Sequence, residues 1–225
     1  MRTIKCIITG IRELNLFSTI YLNFITFPFK KAVRFPILIF GKISIKNARK
    51  GKMVFNCPLK TGTLQIGKSG LGFLDKKNCL TKWNISGTLY VYGRASIGQG
   101  CCLEVGEKAV MILGRDFIVT GRSVILCTNR ITFGDECLLS WDLLIMDTDW
   151  HSVISTADNR ILNPSKPINV GNHVWIGCRS VILKGVSISD NVVVAANSVI
   201  SRNIDKEFVV VKDNGVLKKD VRWEY

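Results

Sequence analysis

The clearest hydrophobic pattern along this chain has a period of six residues. The aliphatic series is Val170, Ile176, Ile182, Ile188, Val194 and Ile200, and a second small or aliphatic series is Val174, Ser180, Val186, Val192 and Ser198. A period of six is neither the helical period nor the strand period of two taken over a long strand, and a helix would spread these positions around its circumference. The period predicts short strands joined by turns, with about three strands per coil and their aliphatic side chains stacked in one interior.

The same period continues upstream of Val170. Its members there are Phe133, Leu139 and Ile145 in one phase and Val91, Ile97 and Leu103 in another. The phase slips between residues 105 and 114, which predicts irregular corners. Residues that tolerate tight or left-handed backbone fall near the expected corners of the later coils: Gly171, Gly177, Gly185, Asp190, Asn191 and Asn197.

These patterns divide the chain into three segments. Residues 1–52 form an N-terminal amphipathic or capping segment, residues 53–205 the repeat, and residues 206–225 a C-terminal tail. Within the repeat, the period stops over residues 147–169, a stretch with turn formers and two prolines. Because a long loop inserted into a strict repeat rarely serves packing, it is the first place to expect chemistry.

The N-terminal segment predicts an amphipathic helix. Its apolar residues recur at spacings of three and four: Leu14, Phe17, Ile20, Tyr21, Phe24 and Phe27. Basic residues follow closely: Lys30, Lys31, Arg34, Lys42, Lys46, Arg49, Lys50 and Lys52. Two interpretations stay open. The helix covers the first coil of the repeat, or it rests on anionic lipid as a peripheral membrane contact, which the net charge of +14 makes reasonable.

Composition narrows the class of protein further. Lys and Arg number 31 against 17 Asp and Glu, which indicates an anionic partner, but no recognised nucleic-acid-binding motif accompanies the charge. The eight cysteines show no CxxC pair and no zinc spacing, so we expect reduced, buried thiols and no metal site. No secretory signal is recognisable, so a cytoplasmic location is expected, with any membrane contact at the inner face of the plasma membrane.

The run Val174-Trp-Ile-Gly-Cys-Arg-Ser-Val-Ile-Leu-Lys-Gly resembles the closing coils of the hexapeptide-repeat acyltransferases. His151, 24 residues before Trp175, resembles the loop histidine of the sugar O-acetyltransferases, such as the galactoside, maltose, capsule and colanic acid enzymes. The resemblance implies an all-β, left-handed parallel β-helix that assembles as a homotrimer with active sites between subunits. It also implies acetyl-CoA as acyl donor and a sugar or glycan hydroxyl as acceptor, in the biosynthesis of capsule, exopolysaccharide or lipopolysaccharide.

The resemblance assigns the general base to His151. An imidazole with a pKa near 6.5 can take the proton of a hydroxyl as it attacks a thioester. His173 lies within the repeat and is interpreted as structural. Asp149 and Asp147, beside the loop histidine, are candidates to orient its ring, and each could equally be a turn former.

Further roles follow from the same resemblance. The backbone N–H groups of Cys178 and Ala196 would bind the thioester and pantetheine carbonyls, and Trp175 would contact the acceptor or pantetheine arm. Cations on the C-terminal side of the cleft, for the phosphates of the donor, are Arg202, Lys184 and Lys219. The chain departs from the family pattern at Cys178, where serine is common, and at Asn214-Gly215, where Asn-Pro is usual.

Three other functions compete with this one. An N-acetyltransferase acting on an amino sugar would need the same kind of base and thioester site. A non-catalytic β-helix scaffold would need neither. A γ-type carbonic anhydrase is disfavoured, because its metal needs three histidine ligands and the chain has two.

Overall fold

The computed structural model of the chain describes residues 13–68, 70–74 and 78–224. Two helices precede the strands among these residues, α1 (Leu16–Thr26) and α2 (Phe29–Ala32). The part of the predicted N-terminal segment before residue 13, including Cys6, lies outside the described residues, as does Tyr225.

The strands are short and follow one another almost without interruption. In chain order they are β1 Ile37–Ile39, β2 Lys42–Lys46, β3 Met53–Phe55, β4 Leu64–Ile66, β5 Leu80–Ile85, β6 Thr88–Val91, β7 Ala95–Gln99, β8 Cys102–Val105, β9 Val110–Leu113, β10 Phe117–Gly121, β11 Val124–Cys127, β12 Arg130–Phe133, β13 Leu138–Trp141, β14 Leu144–Met146, β15 Ile168–Val170, β16 Trp175–Ile176, β17 Val181–Ile182, β18 Ser187–Ile188, β19 Val192–Val194, β20 Val199–Ile200, β21 Val209–Lys212 and β22 Gly215–Lys218.

Successive strands belong to three different sheets, so every third strand lies above the last one in its sheet. The sheet orders are β1-β4-β7-β10-β13-β16-β19-β21-β22, β2-β5-β8-β11-β14-β17-β20 and β18-β15-β12-β9-β6-β3. Every pairing is parallel except that between β21 and β22, which form an antiparallel hairpin. The chain therefore winds as a left-handed parallel β-helix, as the sequence predicted.

The six-residue period places one aliphatic residue of each strand in the interior. In the nine-stranded sheet the paired, buried column includes Ile97, Val119, Leu139, Ile176 and Val194. Ile176 and Val194 are partners 18 residues apart, whereas Ile97 and Val119 are 22 apart, so the earlier coils are longer. These longer coils explain the slips of phase in the sequence.

Two kinds of constraint act at the corners. Asn191 and Asn197 adopt positive φ angles of 59° and 60°, a conformation that Asn tolerates better than most residues. At Gly177 a Cβ atom would lie 2.6 Å from the backbone nitrogen of Ala196 on the next coil, so close stacking requires glycine there.

The helix α1 covers the first coil with its polar face. Asn23 Nδ2 donates to Ile37 O (2.7 Å), Asn23 Oδ1 accepts from Ile37 N (3.1 Å), and Thr19 Oγ1 accepts from Ile39 N (3.0 Å). These bonds satisfy the free edge of β1, whose backbone would otherwise be exposed to unwanted pairing. Leu22 lies on the same inward face and is fully buried, whereas most of the other large apolar side chains of the helix are exposed, and Phe17 is 83% exposed.

The parallel ladder extends beyond the predicted limits of 53 and 205. β1 pairs with β4 and β2 with β5, so the coils begin at Ile37, and β21 continues the ladder from β19 at Val209. The sequence boundaries were too narrow because the first coils are irregular in length and carry only short aliphatic runs. Among the described residues no helix is long and apolar enough to cross a membrane.

Of the seven described cysteines, all free, Cys101, Cys127 and Cys137 are buried. Burial raises the pKa of the Cys101 and Cys137 thiols to about 12, so they remain protonated near neutral pH. They pack as small apolar residues, as predicted for these positions.

Two substitutions test whether the hydrogen-bonding side chains of α1 face the first coil. Asn23→Ala removes the side chain that bonds both polar groups of Ile37, and we expect it to lower the free energy of unfolding by about 3 kcal/mol. Phe17→Ser, on the opposite face of the same helix, should change it by less than about 0.5 kcal/mol. Chemical denaturation measures both, and a larger loss for Phe17→Ser would contradict this arrangement.

Candidate active site

The interruption of the repeat is an excursion between β14 and β15 that returns to its starting point. Its base closes where Lys166 N donates to Asp147 O (3.0 Å), and its arms pair through an antiparallel bridge between Ile154 and Ile161. The segment is therefore a folded loop that leaves the β-helix at one corner. It carries several exposed apolar side chains: Trp150, Val153, Ile154, Ile161 and Leu162.

Asp147 is fully buried and holds the corner on the preceding coil. Its Oδ1 accepts from the Thr128 backbone N–H (2.7 Å) and hydroxyl (2.9 Å), and its Oδ2 accepts from Asn129 N (2.8 Å). Both oxygens are thus used by backbone and side-chain donors of one turn. The carboxylate fixes the root of the loop, and the predicted contact with the imidazole of His151 is absent.

Asp149 ties the loop to a later coil. Its Oδ2 accepts from Lys184 Nζ (2.5 Å) and from Asn163 Nδ2 (2.8 Å), and these hydrogen bonds, that from Lys184 first, lower the pKa of the carboxyl. Lys184 Nζ also donates to Asn163 O (2.9 Å), and the lysine side chain is only 17% exposed. Lys184, predicted to bind donor phosphates, therefore acts as an anchor of the loop, because its ammonium group already has two oxygen partners.

His151 stands exposed on this anchored loop. Its backbone N–H donates to Asp149 O (2.7 Å), and its carbonyl accepts from Asn163 Nδ2 (2.8 Å). Among the described residues, no hydrogen bond or ion pair engages its imidazole, and in particular none comes from Asp147 or Asp149. The backbone of His151 is thus held in place while its ring is exposed to solvent.

A second group of aromatic side chains surrounds Trp175. The indole Nε1 of Trp175 donates to Ser140 Oγ (3.1 Å), and the exposed fraction of Trp175 is 37%. Trp223 of the tail stacks on His173 with ring centroids 4.3 Å apart and donates to His173 O (2.9 Å). His173 Nδ1 also lies 3.2 Å from Asn191 Oδ1, so both the ring and the carbonyl of His173 are engaged by other residues of the chain.

Cys178 and Ala196 occupy equivalent corners of successive coils. The register Ile176 to Val194 and the bond from Asn197 N to Cys178 O (2.8 Å) set them one above the other. Within the described chain, neither the N–H of Cys178 nor that of Ala196 donates to a protein acceptor. Two neighbouring backbone donors are thus left free on one edge of the β-helix.

The remaining predicted cations lie further along this side. Arg202 is exposed, and its backbone N–H donates to Asn214 Oδ1 (2.9 Å), which also accepts from Ser201 N (2.8 Å). Lys219 is exposed just after β22. Within the described part of the chain, no hydrogen bond or ion pair joins either side chain to Cys178 or Ala196.

Sequence reasoning missed two residues that shape the site, Asn163 and Ser140. Asn163 bonds both Asp149 and His151, but nothing in a loop without a period distinguishes it from other turn-forming asparagines. The partner of Trp223 could not be found from the sequence either, because His173 lies 50 residues away. No cluster of three or more His, Cys, Asp or Glu suited to a metal ion occurs in the described ranges.

Comparisons with known proteins agree with this geometry. The family "Bacterial transferase hexapeptide (six repeats)" matches residues 167–202. The galactoside O-acetyltransferase of Escherichia coli K12 is 33% identical over 148 residues, which cover 60% of this chain and 72% of that protein. The chain therefore belongs to the hexapeptide-repeat acyltransferases.

Two further relatives are polysialic acid O-acetyltransferases. That of Neisseria meningitidis is 31% identical over 90 residues, which span 40% of this chain and only 39% of that protein. The solved structure of the polysialic acid O-acetyltransferase OatWY is 22% identical, covers 84% of this chain and 87% of its own, and has a TM-score of 0.45.

The ion pair between Asp149 and Lys184 predicts that removing the Asp149 carboxylate loosens the loop without affecting the coils. Asp149→Asn removes the charge that holds Lys184, so amide hydrogen exchange over residues 148–166 should become severalfold faster while the coils stay protected. Because the pKa of Asp149 is lowered in the folded chain, the contact stabilises the loop above the ordinary Asp pKa and is lost as pH falls through the folded value. Asp158→Asn, at the loop tip, is the control and should leave exchange of the His151 and Lys166 amides unchanged.

Proposed function

We propose that the protein is an acetyl-CoA-dependent O-acetyltransferase that acts on a sugar hydroxyl of a bacterial surface polysaccharide or its precursor. The observation that carries the proposal is the free imidazole of His151 on a loop whose backbone is fixed at both ends to the β-helix. A loop anchored in this way holds a base rigidly while its ring remains accessible to substrate.

His151 acts as the general base. Acetyl-CoA supplies the acyl group as a thioester. The imidazole takes the proton of the sugar hydroxyl as the hydroxyl oxygen attacks the thioester carbonyl, and the resulting imidazolium returns a proton to the departing sulfur. Direct transfer of this kind needs no protein nucleophile, which fits the partly buried Cys178 with no base beside it.

The free N–H groups of Cys178 and Ala196 support a donor site on the edge of the β-helix. Either can bind a carbonyl of the donor, and a donor to the developing oxyanion stabilises acyl transfer by roughly 3 to 4 kcal/mol in comparable sites. Arg202 and Lys219, exposed further along, supply positive charge for phosphates. Trp175, held by Ser140, offers an aromatic surface to the acceptor or the pantetheine arm.

The site is completed between subunits of a homotrimer in this proposal. Two features support it. Within one described chain, no hydrogen bond, ion pair or ring contact joins His151 to Trp175 or Cys178, which is compatible with a donor site supplied by a neighbouring subunit. The exposed apolar side chains of the loop also offer a surface for a neighbouring subunit to cover.

The first test is His151→Ala in a thiol-release assay with acetyl-CoA and a panel of sugars and glycans. We expect acceptor-dependent release to fall by at least about 100-fold, because general base catalysis contributes 10²–10⁴-fold. Arg160→Ala, an exposed change in the same loop, is the control and should retain activity. Sedimentation checks that the oligomer persists in both variants.

The outcomes of this assay separate the competing functions. Acetylation of amino sugars but not of hydroxyl acceptors would favour an N-acetyltransferase. Activity that survives His151→Ala would remove His151 from the mechanism. A chain that binds no acetyl-CoA in calorimetry and releases no thiol with any acceptor would be a scaffold, and the proposal would then be wrong.

The donor site is tested by placing a larger side chain at Ala196. Ala196→Leu places a branched side chain over a free N–H, so the KM for acetyl-CoA should rise by about tenfold, a change of about 1.4 kcal/mol in binding. The matched change Ala157→Leu, at the tip of the loop, should leave the KM unaltered. An unchanged KM in the Ala196 variant would place the donor elsewhere.

A further inference from the structure

The two N-terminal helices present a continuous apolar stripe to solvent. Its members, all exposed, are Leu16, Phe17, Ile20, Tyr21, Phe24, Phe29 and Val33. The rings of Phe24 and Phe29 meet edge to face with centroids 5.8 Å apart, which joins the stripe of α1 to that of α2. We call this surface the helical stripe.

Packing within the chain does not account for the helical stripe. The inward face of α1 consists of Thr19, Leu22, Asn23 and Thr26, and two of these carry the hydrogen bonds to β1. Reversing the helix would bury the aromatic residues but leave the edge of β1 without partners. The sequence thus leaves several large apolar side chains substantially exposed, which marks a surface for another molecule.

Positive charge is concentrated in the N-terminal part of the sequence. Residues 1–100 contain 17 Lys and Arg against 2 Asp and Glu, a net charge of +15, whereas residues 101–225 contain 14 against 15, a net charge of −1. Three of these cations, Lys30, Lys31 and Arg34, are exposed around Phe29. The apolar stripe is therefore flanked by positive charge with almost no acidic residue to offset it.

We propose that the helical stripe docks this protein on an anionic lipid bilayer. An interfacial helix buries its apolar side chains at the boundary of headgroups and acyl chains while basic residues bind the anionic headgroups. A second copy of this chain fits the surface less well, because it would bring two ends of strong positive charge together. The attachment is peripheral.

Vesicle flotation of the full chain tests this proposal. The protein is expected to float with vesicles of phosphatidylglycerol and phosphatidylcholine at about 0.15 M salt, to float much less with phosphatidylcholine alone, and to be released by high salt. Lys30→Glu with Lys31→Glu should weaken the apparent affinity by about tenfold or more, since each basic residue near such a surface contributes about 1 kcal/mol. Phe17→Ser with Phe29→Ser should weaken it similarly.

Matched controls come from exposed residues that lie outside the helical stripe. Lys108→Glu with Lys206→Glu makes the same change of charge on exposed residues outside the helical stripe, and Val216→Ser with Leu217→Ser removes exposed apolar side chains from β22. Both control variants should bind vesicles like the unaltered chain. Thermal unfolding checks that every variant is folded.

Several results would overturn the proposal. Equal binding to neutral and anionic vesicles would show that the protein does not select anionic lipid. Equal losses of binding in stripe and control variants would show that the helical stripe is not the docking surface. A chain that does not float, but whose self-association is abolished by Phe17→Ser with Phe29→Ser, would show that a second copy covers the stripe. Flotation only after residues 1–12 are removed would show that this segment covers it instead.

Discussion

The structure depends on one constraint, the stacking of each coil directly on the one before. Parallel hydrogen bonds and a shared aliphatic column fix the register of the paired strands, as the pairing of Ile176 with Val194 shows, so extra residues do not fit within a strand. Any insertion must therefore leave at a corner, which is where the loop of His151 departs. The same constraint creates two open ends, because the first and last strands of each sheet lack one partner.

The two ends of the β-helix are covered by different structures. At the C-terminal end the hairpin of β21 and β22 continues the sheet, and its tail returns to stack Trp223 on His173. At the N-terminal end a helix supplies side-chain amide and hydroxyl groups in place of a strand. Because those groups must face inward, the wider apolar face of α1 turns outward. The same orientation of the helix therefore both caps the first coil and leaves an apolar surface exposed.

The six-residue period predicted the repeating part of the fold, but it predicted few of the contacts between the loop and the coils. The stacked columns, the corners at Asn191 and Asn197 and the loop at residues 147–169 all follow from positions six apart. The period does not predict contacts that join the loop to distant coils, such as that of Lys184 with Asp149, because a charged residue in the sequence does not reveal its partner. Periodicity also located the amphipathic helix correctly but could not tell which face packs, since Thr19 and Asn23 bury for their hydrogen bonds rather than for their hydrophobicity.

The proposed site and the proposed lipid surface lie at separate levels of one rigid solenoid. Five strand spacings of about 4.8 Å separate β1 from β16, a distance of about 24 Å along the axis. With that axis along the membrane normal, Trp175 would stand well above the headgroups. An acceptor sugar linked directly to a lipid would not reach it, whereas a hydroxyl several sugar rings along a growing glycan would. The height of the β-helix would then select acceptors by their length, independently of the contacts around His151.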